Sequence, residues 1–414
     1  MSEAGEIAAS ARHARAYLTG VLLPFWIERA PDPAGGFLTY FDRNGVATGE
    51  TDKTLLMQVR MLWSMAAAHR AGYGEGRCAE LARAGADFVL AHYWDDVAGG
   101  WYWIADRDGE PTVRAKIGYG QCFAMYAFAE YFLATGDERG REAMLRTHAV
   151  VRERMLDRRH GGYLEIMDRD WRPAPPGRHG GDRKSFDVHV HVMEALTSVL
   201  QVTGDAAHRA ELVEVIELLL GQMLDPTRRA GLLQFGLDFT PLPAIRFDVE
   251  WGSDDEPPGG AFPLQATSYG HNVEFAWLLA RAEALLGVER SPVGRALLDH
   301  CLEFGIDREH GGVFVGGPVD GPATDTHKQF WQQAEALVGL LDGWQAYRDA
   351  RYWRAFRSLY DFVFAKFVHL PGGGEWFAML ERDGTPRWDY LGHAWKISYH
   401  TVRAMLEIVR RLAQ

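Results

Sequence analysis

The sequence contains little cysteine and no long apolar segment. Its 414 residues include 3 cysteines, Cys78, Cys122 and Cys301. Because this number is odd and the spacings are unrelated, we predict buried free thiols and a cytoplasmic location. No apolar run approaches the roughly eighteen residues needed to cross a bilayer. The stretch from Met1 to Arg15 lacks the basic start and apolar block of a secretory signal. We therefore expect a soluble protein without a membrane partner.

The chain also lacks a basic band and the usual phosphate-binding loops. The formal net charge is −12, from 44 Lys and Arg against 56 Asp and Glu. The basic residues are scattered along the sequence, which argues against a nucleic-acid partner. There is no GxxxxGK[ST] loop and no GxGxxG motif after a predicted strand. We accordingly expect neither nucleic acid nor a bound nucleotide.

Glycine-rich turns with an aromatic or apolar residue recur six times. Their spacing of roughly sixty to eighty residues leaves room for two helices and a loop in each repeat. The spacing therefore predicts twelve helices. The turns lie at Gly35-Gly36-Phe37, Gly99-Gly100-Trp101, Gly161-Gly162-Tyr163, Gly231-Leu232-Leu233, Gly311-Gly312-Val313-Phe314 and Gly372-Gly373-Gly374-Glu375-Trp376.

The predicted helices form two alternating sets. A charged set, beginning near Ala8, Cys78, Asp137, His208, Pro292 and Tyr352, has the composition of outer helices. A more apolar set, beginning near Lys53, Gly118, Lys184, Ser268, Thr326 and Trp395, has that of buried inner helices. A closed array buries every apolar stripe, whereas an open one needs polar end repeats that the sequence does not show. We therefore predict an all-α (α/α)6 barrel with short β-hairpin loops at its mouth, forming a single domain over residues 1–414.

Polar residues concentrate near the predicted starts of the inner helices. A buried polar group costs free energy unless it is paired, so their recurrence at one end predicts a shared cavity. His189 and His191 are separated by about 200° of helix rotation, so only one can face that cavity. We place His191 in the site, since it shares a face with Asp187 and Glu194, and treat His189 as a packing residue. The candidate site residues are Arg60, Tyr119, Asp187, His191, His271, Glu274, Trp331, Glu335, Trp395 and His400.

Four sequence stretches that contain most of these candidate residues resemble the N-acylglucosamine 2-epimerase superfamily. They are Lys184 to Ala195, the Ser-Tyr-Gly-His stretch from Ser268 to Glu274, Trp331 to Ala336, and the Trp-Lys-x-x-Tyr-His stretch from Trp395 to His400. Together with Arg60-Met61-Leu62-Trp63, they are most similar to the cellobiose and mannose 2-epimerase branch. The resemblance runs in the same order from about Gly35 to Arg410, and it implies the same (α/α)6 barrel.

The resemblance also implies roles for individual residues. His271 and His400 would be the acid/base pair, His191 a third catalytic histidine, and Arg60 the group that holds the sugar's oxygens. Inverting a carbon next to an aldehyde requires proton carriers on both faces, and histidine works in either direction near neutrality. Arg60 and protonated His191 would spread the enediolate charge. This scheme requires no metal and no other cofactor.

The remaining candidates are predicted to bind or orient the sugar. Glu274 lies one turn from His271 and is expected to orient its imidazole. The other predicted sugar-binding residues are Tyr119, Asp187, Trp331, Glu335 and Trp395. Cellobiose-type members usually carry asparagine where this chain has Asp187, which favours free glucose and mannose as substrates. A monomer or a homodimer is expected.

Several alternatives remain open at this stage. An aldose-ketose isomerase converting mannose to fructose would use the same barrel and the same histidines. A glycoside hydrolase needs two carboxylates facing one bond, which Asp187, Glu274 and Glu335 can supply. A metal site built from His189, His191 and Glu194 is a further possibility, although the helical repeat argues against it. A sugar-binding barrel without catalysis would not need paired histidines.

Overall fold

Two kinds of helix alternate along the chain, as the apolar periodicity predicts. The protein is described by a computed structural model that covers residues 3–249 and 264–413. The outer helices are α1 (Glu3–Tyr17), α2 (Leu23–Arg29), α4 (Arg77–His92), α6 (Glu138–Val150), α8 (Ala206–Gln222), α10 (Pro292–His300) and α12 (Ala350–Phe362). A short π-helix at Leu18–Leu22 joins α1 to α2. The inner helices are α3 (Leu55–Arg70), α5 (Gly118–Thr135), α7 (Phe186–Thr203), α9 (Tyr269–Leu286), α11 (Phe330–Tyr347) and α13 (Ser398–Leu412).

The inner helices form a closed ring. Each packs against the next, from α3 through α5, α7, α9 and α11 to α13, and α13 packs back against α3. The inner helices are buried almost all round, and every residue of α7 from Val188 to Leu200 is inaccessible to solvent or nearly so. The core therefore lies within the ring and between the two layers, and the predicted (α/α)6 barrel is confirmed. The extent of a single domain over 1–414 stays a prediction, since residues 1, 2, 250–263 and 414 lie outside the described part. None of the described helices is both long and apolar enough to cross a bilayer.

Short antiparallel strands connect outer to inner helices at the mouth. They form five small sheets, ordered β1-β2-β3, β4-β5, β6-β7-β8, β10-β9 and β11-β12-β13. The strands are β1 (Lys53–Thr54), β2 (Ile104–Ala105), β3 (Pro111–Val113), β4 (Lys116–Ile117), β5 (Ile166–Met167), β6 (Arg183–Ser185), β7 (Gln234–Gly236), β8 (Pro241–Leu242), β9 (Ala266–Ser268), β10 (Gly316–Pro318), β11 (Lys328–Gln329), β12 (Met379–Leu380) and β13 (Pro386–Trp388).

These strands correct several predicted helix starts. Lys53 and Lys184 lie in β1 and β6, because their backbones pair with a neighbouring strand before the helix begins. Thr326 also precedes its helix, since β11 comes between. Trp395 lies in the turn before α13, where His393 and Lys396 form an isolated bridge. These strand and turn residues directly precede the helices, and the sequence pattern alone did not distinguish them from a first helical turn.

A side chain near the start of most inner helices holds the preceding glycine turn in place. Gln58 Oε1 accepts a hydrogen bond from Phe37 N at 2.9 Å, and Gln58 Nε2 donates to Phe37 O at 2.8 Å. A Cβ on Gly36, whose φ is +63°, would lie 2.6 Å from Gln58 Oε1. Glycine is therefore required at this position. The equivalent side chains of the next four repeats, which accept from the main chain of their turns in the same way, are Gln121, His189, Asn272 and Gln333.

Five of the six repeats contain a buried ion pair next to the glycine turn, and in four of them it accompanies the side-chain contact just described. A lysine just before the inner helix binds a carboxylate that precedes the glycines of the turn or, in the sixth repeat, directly follows them, and thereby fixes the loop at the mouth. The pairs are Lys53 with Asp32 at 2.9 Å, Lys116 with Asp95 at 3.2 Å, Lys184 with Asp157 at 2.8 Å, Lys328 with Asp307 at 2.9 Å and Lys396 with Glu375 at 3.2 Å. In the fourth repeat Thr267 takes the lysine position and donates to Gly231 O at 2.7 Å.

Candidate active site

The first halves of the inner helices surround one cavity of ≈ 410 Å³. Since the same end of each helix faces it, the six helices run parallel to one another. Hairpin residues such as Gln234, Phe247 and Trp388 complete its wall. The predicted site residues that line it are Arg60, Tyr119, Asp187, His271, Glu274, Trp331, Trp395 and His400.

The rings of His271 and His400 both lie beside the tryptophan contributed by α11. The ring centroid of Trp331 is 4.5 Å from that of His271 and 5.8 Å from that of His400. His400 Nδ1 donates to Glu335 Oε1 at 2.6 Å, which leaves Nε2 of the neutral ring without a proton. Neither ring nitrogen of His271 has a hydrogen-bond partner within residues 3–249 and 264–413. Both imidazoles are therefore available to a molecule in the cavity.

The surroundings of these two histidines favour their neutral forms. Burial lowers the pKa of His271 to about 4, although the charge of Asp187 opposes the shift. Burial, together with the cations of Arg60 and Arg403, holds the pKa of His400 well below its ordinary value. At neutral pH each ring is consequently able to accept a proton.

Arg60 is a buried cation on the cavity wall without a carboxylate partner among the described residues. It is 3 % exposed, and its guanidinium lies 4.4 Å from the ring centroid of Phe123 and 5.1 Å from that of Tyr399. Its Nη2 donates to the Tyr119 hydroxyl at 3.3 Å, and its Nε has no partner. Since a buried charge is costly without compensation, Arg60 is suited to bind an oxygen that carries negative charge.

His191 lies behind Tyr119. The Tyr119 hydroxyl and His191 Nε2 are 2.9 Å apart, and His191 Nδ1 and Glu194 Oε2 are also 2.9 Å apart. Tyr119 lines the cavity, whereas His191 is 2 % exposed and lies outside its lining. The ring of His191 is therefore connected to the cavity through the phenol of Tyr119, and its catalytic role stays a prediction.

One arginine connects three carboxylates beneath the cavity. Arg403 donates from Nη1 to Glu194 Oε1 at 2.6 Å and from Nη2 to the Oε1 atoms of Glu274 and Glu335, each at 2.7 Å. It is 2 % exposed. Since Glu194 also binds His191 and Glu335 also binds His400, this single cation connects the surroundings of two histidines.

The three carboxylates differ in their ionisation. Although burial opposes the change, Arg403 and His191 lower the pKa of Glu194 to about 2. Burial and the adjacent Glu335 raise the pKa of Glu274 well above its ordinary value. Burial also raises the pKa of Glu335, against the attraction of Arg403. Glu194 is thus the most firmly ionised of the three, and Glu274 is the group best placed to hold a proton.

Two predicted sugar-binding residues make contacts that their sequence positions did not indicate. Glu335 lies outside the cavity lining, because its carboxylate is already bound to His400, Arg403 and Trp277 Nε1, the last at 3.0 Å. Glu274 lines the cavity, but Oε1 accepts from Arg403 and Oε2 has no partner, so it does not bind His271. Arg403 itself was not predicted, although its position three residues after His400 places both on one helix face.

Metal binding is disfavoured by the same contacts. Glu274, Glu335 and His400 offer ligand atoms that lie within 4.8 Å of one another. Arg403 already occupies the Oε1 atoms of both carboxylates, so a metal ion would lie beside a guanidinium. His189 cannot join His191 around a metal, since its Nε2 accepts from Tyr163 N at 3.0 Å and its Nδ1 donates to Ser185 O at 2.8 Å. The packing role predicted for His189 agrees with these bonds.

Comparison with known proteins gives a consistent result. A profile of the N-acylglucosamine 2-epimerase (GlcNAc 2-epimerase) family matches residues 35–404. The chain is 27% identical over 402 residues to a cellobiose 2-epimerase of Eubacterium cellulosolvens, covering 95% of this chain and 96% of that protein. It is 23% identical over 398 residues to a D-mannose isomerase of Marinomonas mediterranea, covering 94% and 95%. The solved structure of cellobiose 2-epimerase from Spirochaeta thermophila has a TM-score of 0.85 at 28% identity, covering 99% of this chain and 98% of that one.

The barrel, the paired histidines at its mouth and these relatives together define an enzyme of the carbohydrate epimerase class. The chain belongs to the N-acylglucosamine 2-epimerase family, within the cellobiose 2-epimerase branch that its motifs resemble.

Proposed function

We propose that the protein interconverts D-glucose and D-mannose at C2, and acts on the reducing end of β-1,4-linked disaccharides such as cellobiose to a lesser extent. The observation that supports this most strongly is the placement of two neutral histidines, His271 and His400, beside Trp331 at one cavity. The ≈ 410 Å³ cavity is near the lower end of the range for small-molecule sites, which favours a monosaccharide.

In the proposed reaction one histidine removes the C2 proton of the open-chain aldehyde. The C2–H electron pair becomes the C1–C2 double bond of an enediolate, and the negative charge moves to the carbonyl oxygen. Arg60 and the Tyr119 hydroxyl stabilise that oxygen, because both lie on the wall as hydrogen-bond donors. The other histidine must enter the step protonated, having taken its proton from water, and it delivers that proton to the opposite face of C2 while the charge on the C1 oxygen returns to form the carbonyl, so no redox partner is needed.

The remaining groups hold this arrangement in place. Glu335 fixes the His400 tautomer through Nδ1, and His191 orients Tyr119. Glu274, with its raised pKa and unpartnered Oε2, offers a neutral carboxyl that donates to a sugar oxygen. Trp331 and Trp395 offer flat apolar surfaces to the ring or chain carbons of the sugar.

A second candidate function is aldose-ketose isomerisation of mannose to fructose, supported by the similarity to the D-mannose isomerase. Both reactions begin with removal of the C2 proton. The isomerase then delivers a proton to C1, for which one carrier is sufficient. The presence of two histidines at this cavity, rather than one, therefore favours epimerisation.

The proposal is tested by incubating the protein with glucose, mannose, fructose, cellobiose and N-acetylglucosamine in D2O and following the products by NMR. We expect glucose and mannose to interconvert with deuterium at C2. Fructose as the main product from mannose, with deuterium at C1, would establish the isomerase instead. Retention of the original C2 hydrogen in an epimerised product would contradict proton transfer altogether.

Variants of the two histidines test their assignment. His271→Ala and His400→Ala should each lower turnover by about two orders of magnitude or more, the usual scale for lost acid/base catalysis. The exposed His310 lies outside the cavity lining, so His310→Ala is the matched control and should remain fully active. A folded His271→Ala or His400→Ala protein with near-normal turnover would refute the pair.

A further inference from the structure

A second cavity of ≈ 740 Å³ lies at the opposite end of the barrel. Its lining comes from the second halves of the inner helices, including Ala71 after α3, Gln201 of α7 and Ala284 of α9, together with the last turns of α13. It shares no lining residue with the cavity that contains the histidines. The two cavities are therefore separate openings at the two ends of one ring.

The lining of this second cavity is strongly basic. Seven arginines and three carboxylates contribute to it, in a chain whose formal net charge is −12. All three carboxylates are already paired: Glu130 with Arg70 at 2.7 Å, Asp342 with Arg290 at 2.6 Å and with Arg411 at 2.9 Å, and Glu407 with Arg410 at 2.6 Å. The three carboxylates of the lining therefore do not neutralise all seven of its guanidinium groups.

Two arginines remain without a carboxylate. Neither Arg15 nor Arg281 forms a direct ion pair within the described residues. Arg281 Nη2 donates to Gln201 Oε1 at 3.2 Å, and the guanidinium also interacts with the Tyr126 hydroxyl and, at longer range, with the charges of Glu194 and Glu130. Guanidinium groups recognise phosphate and other oxyanions well, because their N–H groups form a planar fork of donors. The excess of positive charge is therefore of the kind that binds a small anion.

Two further donors on lining residues also have no partner. The indole Nε1 of Trp63 and the guanidinium Nε of Arg403 are buried and unpaired, and the side chains are 6 % and 2 % exposed. Both groups can only donate hydrogen bonds. A buried donor left without an acceptor is costly, so a ligand with several acceptor oxygens would satisfy groups that the protein leaves open.

We propose that this second cavity is a binding site for a phosphate group, either as inorganic phosphate or as part of a small phosphorylated compound. The oxygens of the phosphate accept from Arg281 and from the donors of Trp63 and Arg403, while Arg15 adds positive charge at the rim. Arg403 also binds Glu274, which lines the catalytic cavity, so the proposed site and the catalytic cavity share one guanidinium between them.

The proposal is tested by isothermal titration calorimetry of the full chain with inorganic phosphate and, in parallel, with glucose 6-phosphate. We expect saturable binding that weakens as sodium chloride is added, since salt screens the arginines. Tighter binding of one probe would assign the source of the phosphate group. Absence of saturable binding of both probes would overturn the proposal.

Variants locate the binding. Arg281→Gln should raise the dissociation constant by about tenfold, the scale expected for loss of one charge-assisted hydrogen bond. Arg354→Gln, at an exposed position of α12 outside the cavity, should bind as the unmodified chain does. Arg60→Gln should also retain binding, because it alters only the catalytic cavity. Equal affinity in Arg281→Gln and in the unmodified chain, or loss of binding in Arg60→Gln, would contradict the assignment. If Arg281→Gln does not fold, the exposed Arg15→Gln provides the same test through its loss of affinity.

Discussion

Replacing Arg403 by glutamine removes the one cation shared by the three buried carboxylates. The side chain makes charge-assisted hydrogen bonds of 2.6, 2.7 and 2.7 Å to Glu194, Glu274 and Glu335. Removing one member of a buried ion pair typically costs about 3–5 kcal/mol, because the remaining charge stays desolvated. We expect Arg403→Gln to lower the free energy of unfolding, measured in urea, by roughly this amount.

The same substitution should change the pH dependence of catalysis. Arg403 lowers the pKa of His400, so its removal raises that pKa. A histidine acting as base must be unprotonated, and activity is lost as the pH falls through its pKa. The acid limb of the profile of kcat/KM against pH should therefore move to higher pH in Arg403→Gln. A loss of stability alone would lower the amount of folded enzyme without moving this limb.

Two further variants make the Arg403 experiment decisive. Arg403→Lys keeps the positive charge but cannot reproduce the fork of donors, so stability should fall while the acid limb stays near its original position. Arg351→Gln removes the surface ion pairs with Asp349 and Asp299 and should cost less than about 1 kcal/mol with an unchanged profile. A folded Arg403→Gln enzyme whose acid limb coincides with that of the unmodified chain would refute the reasoning.

Four further predictions concern single groups. His189→Gln should leave the free energy of unfolding nearly unchanged because glutamine also accepts from Tyr163 N, whereas His189→Ala should lower it by about 1–3 kcal/mol; equal losses in urea titrations would contradict this. Since the pKa of His271 is lowered to about 4, kcat/KM should stay level through pH 6.5 and fall only as the pH approaches that value, and a fall centred near 6.5 would be inconsistent. Asp187 raises the pKa of His271, so Asp187→Asn should move the acid limb to lower pH and alter the ratio of mannose to cellobiose turnover; identical profiles and ratios would remove Asp187 from the site. Activity should survive exhaustive chelation without added nucleotide, and a loss restored by one divalent metal would show that the reaction needs that metal.

The tertiary structure gives Asp187 a different charged neighbour from the one that its helix position indicates. On the helix face Asp187 lies one turn before His191, so sequence spacing favours that pair. In the folded chain His191 instead binds Glu194 and Tyr119. The charge of Asp187 acts on His271, which belongs to another inner helix. Helix periodicity gives neighbours within one helix, whereas the nearest charge often belongs to another.

The sequence by itself determined the architecture and the end of the barrel where the site lies. Apolar periodicity is local, and six glycine turns divide the chain at the points where outer helices end. Glycine is required there for a physical reason, since Gly36 has a positive φ and no room for a Cβ beside Gln58. Polar residues at the starts of apolar helices then located the cavity, and motif resemblance selected His271 and His400 within it.

Only the tertiary structure decided which candidates reach the cavity and which support it. His191 and Glu335 are as polar and as close to helix starts as His271, yet they lie behind Tyr119 and His400. The hydrogen bonds that decide this join different inner helices, with Arg403 contacting residues that are 209 and 129 positions away in the sequence. No local pattern encodes such distances, because they follow from closing six helices into a ring around one buried guanidinium.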